Sequence, residues 1–202
     1  MKIVIIYDSR LGSVKAMARL IARGVGSAGE NCEAVLRSVS PIENTPSNQP
    51  ADGSNKSSND IEACLADLES CDGLILGSPT RFGNMSASMK NFIDSTSSLW
   101  MNGTLVNKPA AVFTSSSSMH GGQESTLLSM LNPLLHHGMV VCGLPYTEPA
   151  LKKTITGGTP YGASHVAGSS NTNPISKEER ALCIALGKRV AELAIKLKDH
   201  KI

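Results

Sequence analysis

Lys2-Ile3-Val4-Ile5-Ile6-Tyr7-Asp8-Ser9-Arg10-Leu11-Gly12-Ser13-Val14 decides the fold. Ile3 to Tyr7 is an unbroken and largely β-branched apolar run, the pattern of a strand covered on both faces. After a short polar turn, Val14, Met17, Ala18, Ile21, Ala22 and Val25 recur at helical spacing. Strand, polar turn and helix make one α/β unit, and the rest of the chain repeats it. Ala34-Val35-Leu36, Leu74-Ile75-Leu76, Pro109 to Thr114 and Met139 to Cys142 read as four further strands. Helical stripes lie between and after them. Ile61, Cys64, Leu65 and Leu68 follow Asn59 or Asp60 as N-cap, and Met89, Phe92 and Ile93 mark one face of a helix within Met85 to Leu99. Leu127, Leu128, Leu131, Leu134 and Leu135 mark the next helix, and Leu182, Leu186, Val190, Leu193 and Leu197 the last. Ser176-Lys177-Glu178-Glu179 is the capping box that opens this last helix. Five short apolar strands, each followed by a helix, predict a three-layer α/β fold: a parallel sheet with helices on both faces.

The 202 residues, 41% of them apolar, are enough for one domain spanning 1–202 with a core that needs no staples. Two stretches rich in Pro, Gly, Ser and Asn, 41–59 and 144–174, read as long surface loops. A net charge of +2 argues against a nucleic-acid binder, whose partner needs a concentrated positive field. Apolar runs are too short to span a bilayer or to form a signal peptide, so a soluble, cytoplasmic protein is expected. The five cysteines form no C-x-x-C pair, as expected of reduced thiols, and no metal site is expected.

Ligands of such sheets bind beyond the carboxyl ends of the strands. The loops there are polar and glycine-bearing. Ser9, Arg10, Leu11, Gly12, Ser13 and Val14 place two hydroxyls, a cation and a glycine at a helix N-terminus, which suits a phosphate or an ordinary capped turn. The loop lacks the G-x-x-x-x-G-K-S/T of triphosphatases. Pro79, Thr80, Arg81, Phe82 and Gly83 form a second loop, in which Phe82 either pins the chain to the core or serves a ligand. Ser115, Ser116, Ser117, Ser118, Gly121 and Gly122 make a third, rich in donors at small steric cost. Gly24-Val25-Gly26-Ser27-Ala28-Gly29 matches a dinucleotide fingerprint literally, but it closes a helix instead of opening one, so helix termination is its expected role. His136 and His137 fall at a helix end, where an imidazole commonly caps carbonyls. Trp100 follows another helix and is either an interface anchor or a stacking surface.

Gly77-Ser78-Pro79-Thr80-Arg81-Phe82-Gly83-Asn84-Met85 and its continuation to Asp94 resemble the WrbA family of flavodoxin-like NAD(P)H:quinone oxidoreductases. Leu99-Trp100, Gly121-Gly122-Gln123-Glu124, His136-His137-Gly138-Met139 and Gly157 to Ala163 match in the family's order, across nearly the whole chain. The resemblance implies a flavodoxin-like strand order of 2-1-3-4-5. It also implies FMN held by Ser9 to Val14 at its phosphate and by Thr80 to Phe82 beside the isoalloxazine. Ser115 to Gly122 would form the third FMN loop, with His136 near the flavin. Trp100 would bound the substrate pocket across a subunit contact of a homotetramer. The implied activity is two-electron reduction of quinones to hydroquinones by NADH or NADPH, in ping-pong fashion, with no obligatory catalytic side chain. Two departures stand out: Leu11 replaces an aromatic residue, and the third loop is serine-rich and one residue longer, with Met119 and His120 in it. The alternative on the same fold is a non-enzymatic FMN electron carrier or a regulatory interaction protein. A one-electron carrier calls for a strongly acidic docking surface, which +2 does not supply.

Overall fold

In the computed structural model, which describes residues 1–42 and 60–199, strands and helices alternate along most of the chain. The first half contains β1 (Lys2–Tyr7), α1 (Ser13–Gly26), β2 (Glu33–Ser38), α2 (Leu65–Glu69), β3 (Gly73–Pro79), α3 (Ala87–Asp94) and α4 (Ser97–Met101). The second half contains β4 (Pro109–Ser116), α5 (Gln123–His136), β5 (Val140–Val141), α6 (Pro149–Lys153), β6 (Ala163–Val166) and α7 (Lys177–Asp199). The sheet order is β2-β1-β3-β4-β5 with every pairing parallel, the flavodoxin-like order. Most of the expected first long loop, 43–59, lies outside the described residues.

Strand periodicity divides the apolar residues into two cores. Ile3, Ile5 and Tyr7, with Ile75, Ala111 and Phe113, face α1 and α7. Val4, Ile6, Leu74, Leu76, Ala110 and Val112 face the other way, against Leu68, Met89, Leu99, Leu127 and Met130. Each large side chain so buried contributes about 1.5–3 kcal/mol. The continuous apolar runs of β1, β3 and β4 thus have a simple cause: both faces are covered.

Four features differ from the sequence reading. First, the stretch 144–174 is not loop throughout, because it contains α6 and β6. β5 pairs with β4 only at Pro109↔Val140 and Ala110↔Val141; β6 then takes the same edge position beside Phe113 to Ser116. The fifth strand is therefore split by an insertion whose Leu144 and Leu151 join the α1–α7 core. Second, α1 ends at Gly26, within the stretch expected to close it, but Gly24 itself lies inside the helix and serves packing. A Cβ there would stand 2.0 Å from Ile184 O, and one on Gly187 would stand 2.0 Å from Ile21 O. These two notches let α1 and α7 approach closely, and Ser27 caps α1. Third, α2 begins later than expected, at Leu65 behind Cys64, whose N–H donates to Asp67 Oδ2 at 3.1 Å. Asp60 instead accepts from the Tyr7 hydroxyl and lies 3.7 Å from Arg19. Fourth, the Met85 to Leu99 helix breaks into α3 and α4 at Ser95 and Thr96.

The predicted capping box of α7 is present. Ser176 Oγ accepts from Glu179 N at 3.1 Å, and Ser176 N donates to Glu179 Oε2 at 2.8 Å.

Candidate functional site

The first loop turns on Gly12, the N-cap of α1, at φ 95°, a left-handed conformation that favours glycine. Beyond it, the Lys15 N–H donates to Ser9 Oγ at 3.1 Å and the Ala16 N–H to Gly12 O at 2.9 Å. The amides of Ser13 and Val14 find no acceptor among the described residues. The first turn contains no acidic side chain. Free amides and the positive end of the helix dipole make this an anion-receptive terminus.

The second loop follows β3. The Thr80 N–H donates to Ser115 O at 2.9 Å, extending the β3–β4 pairing. Arg81 and Asn84 then exchange backbone hydrogen bonds of 2.8 and 3.0 Å around Phe82 (φ 52°) and Gly83 (φ 74°). Left-handed backbone at both central positions is the mirror-image tight turn. It directs Phe82 into solvent, fully exposed at 107%, so the pinning role is excluded. Behind the turn, Thr80 Oγ1 lies 3.3 Å from both Thr114 Oγ1 and Thr126 Oγ1. Thr114 donates to Ser78 O at 2.7 Å and Thr126 to Gly122 O at 2.8 Å, so each of these three hydroxyls has a partner.

The third loop follows β4. Ser115 and Ser116 are buried, and Ser116 Oγ donates to Ser118 O at 2.7 Å. Gly122, at φ 85°, is the N-cap of α5. A Cβ on it would come 2.8 Å from Gly83 Cα, so the second and third loops meet through two glycines.

The three loops close on a cleft of about 130 Å3 at the carboxyl edge of the sheet. Ser9, Arg10, Leu11, Ser13, Val14, Pro79, Thr80, Arg81, Ser115, Ser116 and Ser117 contribute to its wall. Among the described residues, two arginines, Arg10 and Arg81, and no acidic residue line it. Sequence reading missed a fourth side made of Ala167, Gly168, Ser169 and Asn171, just after β6. The available signal was another Gly-Ser-Ser-Asn stretch after a short strand, hidden in a segment read as loop. Gly12, Phe82, Gly83, Ser118, Gly121 and Gly122 lie in the loops but not in the wall. His136 is exposed at the end of α5, and Trp100 is 50% exposed on α4; neither lines the cleft of its own chain.

Two polar clusters, one fully buried and one half-buried, support these elements. Burial alone would raise the Glu179 carboxyl, but hydrogen bonds from His165 and from the amides of Ser176 and Gly157 outweigh it and hold the pKa at about 2. His165 Nδ1 lies 2.8 Å from Glu179 Oε2, and since a carboxylate only accepts, Nδ1 carries the proton. At the C-terminal end of α5, His137 Nε2 lies 2.9 Å from Thr96 Oγ1, whose proton is directed to Ile93 O. Burial, with His136 beside it, holds the His137 pKa below its usual value.

Comparison with known proteins agrees with this geometry. A family model described as NADPH-dependent FMN reductase matches residues 1–147. A protein of Syntrophobacter fumaroxidans named NAD(P)H dehydrogenase (quinone) is 44% identical over 202 residues, covering 98% of each chain. One of the same name from Geotalea daltonii is 42% identical over 202 residues, again 98% of each. Among solved structures, a flavodoxin, WrbA-like protein from Agrobacterium tumefaciens matches with a TM-score of 0.66 at 23% identity, covering 96% of this chain and 98% of its own. An archaeal flavodoxin matches at 0.61 and 21% identity, covering 98% and 99%. The structural likenesses carry the flavodoxin-like fold; the sequence matches carry more, for the chain belongs to the NADPH-dependent FMN reductase family and, within it, groups with the full-length relatives named NAD(P)H dehydrogenase (quinone).

Proposed function

We propose that the protein is an FMN-dependent NAD(P)H:quinone oxidoreductase, reducing quinones to hydroquinones at the cleft between the sheet-end loops. The observation that carries this reading is the convergence of three separate loops, two of them bringing an arginine, on one cleft at an open helix N-terminus. The chemistry of the donor set fits FMN. Arg10, the Ser9 hydroxyl and the free amides of Ser13 and Val14 suit its phosphate, around Leu11 and Gly12. Pro79, Thr80 and Arg81 on one strand end, and Ser115, Ser116 and Ser117 on the next, offer hydroxyls and amides to a flat ring edged with acceptors. Phe82, Gly83, Ser118, Gly121 and Gly122 shape those loops.

Bound there, FMN supplies the two-electron redox chemistry that connects a nicotinamide donor to a quinone acceptor. The described wall residues supply hydroxyls, backbone amides and two arginines, groups suited to binding and orienting the cofactor. Self-association as a homotetramer belongs to the same reading, with Trp100 and His136 of a second copy closing the substrate side. Exposed Trp100, Met101, Val106 and Leu135 support it, since large apolar residues in solvent commonly mark an interface. A cytoplasmic location fits five unpaired thiols and, among the described residues, no helix long and apolar enough to cross a membrane.

The test is anaerobic oxidation of NADH and NADPH by the purified chain. Oxidation that requires both FMN and benzoquinone is expected. A protein that retains FMN yet is inert to both nucleotides would replace the enzyme with an electron carrier.

A further inference from the structure

The turn from Ala167 to Asn171 belongs to no part of the site described above except its wall, and it lies 20 residues beyond the end of the family match at 147. We infer that this turn is a fourth cofactor-binding wall, and that Asn171 is a positioning residue that decides which first-loop hydroxyl serves the cofactor's phosphate. The inference rests on the FMN reading above.

Asn171 reaches back across most of the chain to make two bonds. Its Nδ2 donates to Leu11 O at 3.1 Å, and its Oδ1 accepts from Ser13 Oγ at 2.7 Å. The orientation of the amide is fixed, because the Leu11 carbonyl can only accept and must face the NH2. The single Ser13 hydroxyl proton is therefore committed to Asn171, and toward an anion Ser13 Oγ presents only lone pairs. Ser9 is the opposite case. Its Oγ already accepts from the Lys15 N–H, so its proton is left for the ligand. The donor set for a phosphate becomes Ser9 O–H, Arg10 and the amides of Ser13 and Val14, with the Ser13 side chain acting as an anchor.

The turn is held from the core. Asn171 sits at φ 55°, with its N–H donating to Gly168 O at 3.1 Å. The Asn173 N–H donates to Ala167 O at 3.0 Å, and the Ala167 N–H to Ser116 O at 2.8 Å, which ties the turn to the third loop. The Val166 N–H donates to Glu179 Oε1 at 3.1 Å, tying it to α7. One small segment thus sets the spacing between the first and third loops.

Fluorescence titration of the full chain with FMN and with riboflavin, which shares the ring and ribityl chain but lacks the phosphate, tests this directly. The wild type is expected to prefer FMN. Asn171→Ala should weaken FMN about tenfold, the effect of one lost hydrogen-bonded anchor, and leave riboflavin nearly unchanged. Asn171→Asp keeps the shape and the Ser13 bond, so it serves even if the alanine variant folds poorly. It should weaken FMN about a hundredfold through like charge beside the phosphate. Ser9→Ala should cost more FMN affinity than Ser13→Ala. Folded Asn171 variants with the wild-type ratio of FMN to riboflavin affinity would overturn the inference, as would a larger loss in Ser13→Ala than in Ser9→Ala. A wild type that binds neither flavin would overturn the FMN reading itself, a different and recognisable failure.

Discussion

Glu179→Gln should destabilise the protein and remove a defined part of its acid sensitivity. Glu179 is 1% exposed and accepts four hydrogen bonds, with Oε1 taking the Gly157 and Val166 amides and Oε2 taking the Ser176 amide and His165 Nδ1. Glutamine keeps one acceptor oxygen but turns an NH2 toward the two donors on the other side. Two charge-assisted bonds are lost, at about 1.5–3 kcal/mol each, so a loss of about 3–6 kcal/mol is expected. The pH dependence gives a second, independent figure. The folded pKa of about 2 lies below the ordinary 4.5, so protonation favours the unfolded chain. The stabilisation is complete above pH 4.5 and is lost as pH falls toward 2, amounting to about 3 kcal/mol by linkage. Urea unfolding of both proteins from pH 7 down to pH 2 measures the two quantities together. The wild-type advantage should be flat near neutrality and shrink through the acid range. Stability curves that run parallel throughout would refute the assignment of Glu179 as the ionised centre of this network.

Gly187→Ala sets a methyl 2.0 Å from Ile21 O, backbone that cannot give way locally; a thermal melt should show a loss of about 3 kcal/mol, the upper end of ordinary core overpacking. Phe82→Gly relieves a left-handed φ of 52° at a fully exposed residue and should raise the melting temperature slightly, by about 1 kcal/mol of stability. Ser116→Asp puts an anion in the cleft wall and should weaken FMN in an equilibrium titration, and unchanged affinity would remove the third loop from the site.

Fold class was legible because burial on both faces writes itself into β1, β3 and β4 as uninterrupted apolar residues, and because Ser176 and Glu179 solve a purely local capping problem. β6 was not legible for the converse reason. Its Ser164 and His165 are polar and yet fully buried, satisfied by the Gly158 amide and by Glu179, partners that only the folded chain brings near. Gly24 looked like a helix stop because nothing local announces the α7 backbone lying against it. Among site residues, the wall positions Ser9, Arg10, Leu11, Ser13 and Val14 and those from Ser115 to Ser117 followed from loop chemistry at strand ends. The outward course of Phe82 did not, since it depends on a turn closed by Arg81 and Asn84. Asn171 stayed hidden with the strand that delivers it.

The most direct measurement is the visible spectrum of desalted, FMN-reconstituted protein under argon, recorded before NADH or NADPH, after it, and after a quinone. The account predicts a retained flavin band that bleaches with the nucleotide and returns with the quinone. Protein that emerges from desalting colourless, or a band that neither nucleotide alters, would contradict it.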